Sequence, residues 1–153
     1  MLTEYPDSTE SFYTEAEAFY KELYQTTGDK AYIDSVLMIL SQRTLYFNNK
    51  PSNDLHKSLI LFELGGNDTT FAQKCYNIII EVADSFPDYI DDSYSMLLMA
   101  AAIRSFSMNL IDTTEVLSAY QNAIGAVEAQ QEIHPGDSRY PRTANKIDSL
   151  FLS

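Results

Sequence analysis

"NDTTFAQKCY", residues 67–76, is echoed by "IDTTEVLSAY" at residues 111–120. Asp68-Thr69-Thr70 and Tyr76 return as Asp112-Thr113-Thr114 and Tyr120, 44 residues further on. An aspartate in front of a helical apolar pattern is a start signal, because its carboxylate can accept backbone N–H groups that the first turn leaves unpaired. At the same offset Ala72, Tyr76, Ile79 and Ala83 match Val116, Tyr120, Ala123 and Val127. Residues at that spacing share one helix face. A further helix opens similarly after Gly28-Asp29, 39 residues before Asp68. The echo therefore predicts a repeated structural unit, with Asp68 and Asp112 as equivalent N-caps.

Outward from the echo, periodicity and breakers predict seven helices and no strand. They cover about Thr9–Gln25, Lys30–Phe47, Ser52–Leu64, Asp68–Phe86, Tyr89–Met108, Asp112–Gln131 and Pro141–Leu152. Asp7 with Glu10 gives the first a capping-box start. Gly65-Gly66 stops the third and Pro87 the fourth. The second is apolar nearly all round, with Ile33, Val36, Leu37, Leu40 and Phe47 on one face and Met38, Ile39, Leu45 and Tyr46 elsewhere. Such a helix needs cover on more than one side. Short connections make neighbouring helices antiparallel. The predicted fold is all-α: a superhelix, or solenoid, of about three antiparallel helix pairs (about 8–47, 52–86 and 88–131) and a closing helix (about 140–152). These form one domain over residues 1–153.

Composition agrees with this and excludes several functions. Hydrophobic residues make up 45% of 153 residues, enough for a real core. The net charge of -12 would repel phosphate backbones, so nucleic acid is not an expected partner. Cys75 is the single cysteine, which excludes an intramolecular disulfide and a multi-cysteine zinc site. No apolar run approaches the length of a membrane span. The start Met1-Leu2-Thr3-Glu4-Tyr5-Pro6 lacks the basic and apolar parts of a signal peptide. That leaves open a cytoplasmic chain or a mature one with an added Met1.

Two resemblances sharpen the repeat. The unit Asp54–Pro87 spans 34 residues and closes on proline, the period of a tetratricopeptide repeat. Tyr94 and Leu97 resemble the bulky pair that opens a following repeat. "YIDSVLMILSQRTLYFNN", residues 32–49, resembles the signature helix of a tetratricopeptide-repeat family of Bacteroides-type bacteria, with Asp34, Gln42, Arg43, Tyr46 and Phe47 matching. "LIDTTEVLSAYQNAI" and "NKIDSLFLS" resemble later helices of that family. The resemblance implies an exported, envelope-associated repeat protein without catalytic residues. It also implies that the chain is a fragment or a shortened member.

The chemical motifs are weak beside this. Asp88, Asp91 and Asp92 lack the alternating spacing and glycine of a calcium loop and suit helix N-termini better. His56 and His134 lack partners at ligand spacing, Cys75 lies on an apolar stripe, and neither a phosphate loop nor a nucleophile elbow occurs. The chain is thus expected to be non-enzymatic and without cofactor or metal. It reads as a scaffold for a protein or peptide partner, or as an assembly segment that self-associates through exposed array ends. A helical small-ligand carrier is the third reading. Candidate partner-binding residues are Tyr76, Tyr120, Tyr94 and Arg43, since solenoids use aromatics as anchors. Arg43 has no carboxylate at helical spacing, so its partner is expected from another element.

Overall fold

A computed structural model describes residues 10–47 and 50–152, apart from the side chains of Glu10, Tyr46 and Phe47. Its helices are α1 (Glu10–Thr27), α2 (Ala31–Phe47), α3 (Lys50–Leu64), α4 (Thr69–Ser85), α5 (Asp92–Ser107), α6 (Thr113–Ile133) and α7 (Arg139–Leu152). A single 3₁₀ turn, Pro87–Tyr89, stands where the fifth helix was expected to begin. The Ile90 N–H closes this turn on the Pro87 carbonyl, Ile90 and Asp91 are extended, and α5 starts only after Asp91, whose carboxylate caps the Tyr94 N–H. The capping box predicted at Asp7 lies outside the described residues.

The repeat is real at its punctuation. Asp68 Oδ1 accepts the Phe71 N–H (3.1 Å) and Asp112 Oδ1 accepts the Glu115 N–H (2.9 Å). Asp29 Oδ1 accepts the Ala31 N–H (3.0 Å), so all three second helices open on an aspartate. The first helices also end alike, each on a left-handed residue, with Gly28 at φ 71° after α1. Gly66 sits at φ 56° after α3, and Asn109 at φ 60° after α5, letting the Leu110 N–H turn back to the Ser105 carbonyl at 2.8 Å.

Packing turns these elements into an all-α helical-repeat superhelix. α1 pairs with α2, α3 with α4 and α5 with α6; α2 meets α3 and α4 meets α5, joining the pairs. α7 lies across the last pair, against both α5 and α6. The main core runs through α2 to α7, with Tyr24 of α1 packed against it, and includes Ile33, Leu61, Ile79, Leu98, Val127 and Ile147, each essentially inaccessible. Full burial of such a side chain stabilises by about 1.5–3 kcal/mol. α2 is covered by α1 and α3 but not all round: Met38 and Leu45 remain exposed, Leu45 at 74%. Lone apolar residues on a surface are ordinary.

Polar ties follow the period of the repeat. Tyr24 Oη donates to the Leu64 carbonyl (2.7 Å), joining α1 to α3, and the His56 imidazole meets the buried Glu17 carboxylate across the same helices. Arg104 continues the series from α5 to α3, donating to the Phe62 carbonyl at 3.0 Å with its guanidinium 3.8 Å from the Phe62 ring centroid. On the other layer, Lys30 pairs with Asp68 (2.6 Å) and Asn122 donates to Asp84 (3.2 Å). Each link spans about one repeat, so it fixes one pair on the next.

Candidate binding groove

The four residues singled out from sequence lie on four helices. Tyr76 on α4 is 5% exposed and belongs to the core, and burial pushes its phenol above its ordinary pKa. It offers almost no surface to a partner, which corrects its selection as an anchor: α3 and α5 pack heavily on α4 and α6 touches it too, and sequence alone does not say which side of a helix such neighbours will cover. Tyr120 on α6 is half-buried. Its hydroxyl donates to Asp148 of α7 (2.6 Å), and its ring stacks on Phe151 at 4.3 Å between centroids. The Asp148 carboxylate, accepting that proton, holds the Tyr120 phenol above its usual pKa. Tyr94 is half-buried in the first turn of α5, its phenol pushed up by burial and then by Asp91. Arg43 is half-buried on α2.

The thiol and the imidazoles are committed to structure. Cys75 is buried, its Sγ donating to the Ser58 carbonyl (3.2 Å) while Ser58 Oγ donates to the Cys75 carbonyl (3.0 Å). This reciprocal pair locks α3 to α4, and burial raises the thiol pKa, opposite to what a nucleophile needs. His134 stacks on Tyr140. Asp137, gripped by the Arg139 guanidinium, is pulled down to about 2. Among the described residues no group of three or more His, Cys, Asp or Glu could hold a metal ion, and no helix is long and apolar enough to cross a membrane.

A recess among the described residues lies elsewhere, between the end of α4 with its 3₁₀ turn and the outer side of α6. It holds about 320 Å³. Gly125, Ala126 and Ala129 contribute small side chains on the α6 side, Gln121 and Gln130 offer amides, and Asp88 is the one ionisable lining group. Ile133 closes the far end, 66% exposed. None of Tyr76, Tyr120, Tyr94 or Arg43 lines it. Gly125 is the informative residue. A Cβ built there meets nothing within 4 Å, so no contact inside the chain requires a glycine. Glycine inside a helix costs about 1 kcal/mol against alanine. Gly65 is the contrast: a Cβ there would meet the Leu61 carbonyl oxygen and, at 2.8 Å, the Phe71 Cβ. The sequence held one signal for the groove, a helical glycine with alanines one and four residues on.

The described residues therefore form an all-α stack of helix pairs, a repeat superhelix with a small-residue groove between α4 and α6. Comparison with protein-family models, with curated proteins and with solved structures yields no match.

Proposed function

We propose that this chain is a non-enzymatic scaffold whose α4–α6 groove receives a segment of a protein partner. The observation that carries the reading is Gly125: an exposed, helix-weakening glycine on a groove wall, with no neighbour of its own to make room for. Close approach of another backbone is a physical use for such a position. The tetratricopeptide-like sequence pattern supports a repeat scaffold, and an envelope location rests on the Bacteroides-type resemblance. The buried, proton-retaining thiol of Cys75 supports a non-catalytic role.

The test is selection of a displayed random-peptide library on the immobilised full chain, counter-screened on Gly125→Phe. Enriched peptides should bind the natural chain and lose at least tenfold in affinity on the variant. Enrichment that survives Gly125→Phe, or none at all, would sink the reading.

A second reading, assembly with further helices or with another copy, draws on Met38 and Leu45, exposed on α2, and Phe19 on α1. The outward side of α7 differs, carrying exposed Arg142, Asn145, Lys146 and Ser149. Sedimentation velocity should then show a concentration-dependent oligomer that Met38→Glu with Leu45→Glu dissolves. A monomer at all concentrations argues against it.

A further inference from the structure

The groove's rims carry one sign of charge, and this specifies the chemistry of an occupant. Asp88 lines the α4 side. Asp84, one helical turn earlier, is exposed beside it and is held to α6 by the Asn122 amide at 3.2 Å. On the other side Glu128 and Glu132 stand three and seven residues after Gly125. Helical spacing puts both on the stripe next to that glycine, facing solvent. The neighbouring recess on α6 is lined by the same two glutamates with Gln131 and Pro135. No lining residue of either recess is cationic. In a chain of net charge -12 this is a concentrated part of a general field, with small residues where the two rims approach.

Length sets a second limit. From Gln121 to Ile133 α6 advances about 18 Å at 1.5 Å per residue. About five or six residues of extended chain cover that distance.

From these features we infer that the groove takes an extended, cationic polypeptide segment of about six residues, its Lys or Arg side chains reaching Asp84 and Asp88 on one rim and Glu128 and Glu132 on the other, with small residues over Gly125 and Ala129. The inference rests on the groove reading above and adds the charge and conformation of the partner. Complementary charge raises encounter rate and selectivity more than it raises affinity, so binding should be salt-sensitive.

The experiment uses three fluorescein-labelled peptides with lysine, glutamine or glutamate alternating with alanine and glycine, titrated with the full chain by fluorescence anisotropy. The lysine peptide should bind at least tenfold more tightly than the glutamine peptide. Its affinity should fall several-fold in Glu128→Gln with Glu132→Gln and on raising the salt, and be lost in Gly125→Phe. Ala129→Phe serves as a second groove-filling variant should the first unfold. Equal, Gly125-dependent binding of lysine and glutamine peptides would overturn the charge inference and leave the groove reading standing. Lysine-peptide binding indifferent to both filling variants would overturn both, since bulk negative charge would then explain it. No binding of any peptide would overturn the charge inference, and the library selection would judge the groove separately.

Discussion

α4 and α6 open with the same aspartate cap and the same tyrosine eight residues on, yet they end in different surroundings. Along α4, Phe71, Ala72, Cys75, Tyr76, Ile79, Val82 and Ala83 are all buried. Along α6, only Ala119, Ala123 and Val127 are. α4 has α3, α5 and α6 against it, whereas α6 is covered by α5 and α7 and only lightly by α4. Side-chain size follows the cover: Ile79 fills its layer where Ala123 lets helices approach. The outer side of α6 is then free to carry Gly125 and the groove. One local instruction thus serves two ends, a core helix and a helix with an open outer surface.

The largest expected effect tests the core half of that comparison. Ile79→Ala should destabilise by about 3 kcal/mol through lost burial and a cavity, read as a lower midpoint of urea unfolding followed by helical circular dichroism. A loss below about 1 kcal/mol would mean that α4 is not the packed centre described.

The caps come next. Asp112→Ala should cost about 1 kcal/mol, through loss of the bond that its carboxylate accepts from the Glu115 N–H. Asp68 does more: Lys30 first, then the Phe71 N–H, holds its carboxyl below the ordinary value of 3.8. Its folded pKa is depressed, so its contribution is present above pH 3.8 and is lost as pH falls through the lower folded value. The stability gap between the natural chain and Asp68→Asn should therefore close in acid, and shrink in concentrated salt, in paired melts across pH. A gap that widens below pH 3.8 would contradict the Lys30 pairing.

The smallest effect sharpens the surface half. Gly125→Ala should stabilise by about 0.4–1 kcal/mol, since helical geometry suits alanine and its methyl meets nothing. A destabilised variant would show that the chain itself needs the glycine, and would remove the argument for the groove.

The helices were legible because their signals are local. Asp68, Asp91 and Asp112, Gly65-Gly66 and Pro87 act on the turn in which they stand. Three features escaped for the opposite reason. The α5 start moved by a few residues because Pro87–Tyr89 closed a separate turn. Tyr76 and Tyr120 look alike in sequence, but one lies inside the core and the other stacks on α7 at its margin. The groove needs α4 and α6 side by side, with lining residues as far apart in the chain as Ala83 and Asn122, and the Asn122 amide tied to Asp84 holds the two helices together there.

What the sequence determined by itself is the number of helices, their caps and the repeated order in which they pair, since each follows from periodicity and backbone chemistry within a few turns. The tertiary structure decided which copy of the repeated tyrosine is buried, which apolar residues of α2 stay outside, and that Gly125 stands in open space beside acidic rims. Burial is a property of neighbours, and neighbours about one repeat apart in the chain are chosen only when the helix pairs stack.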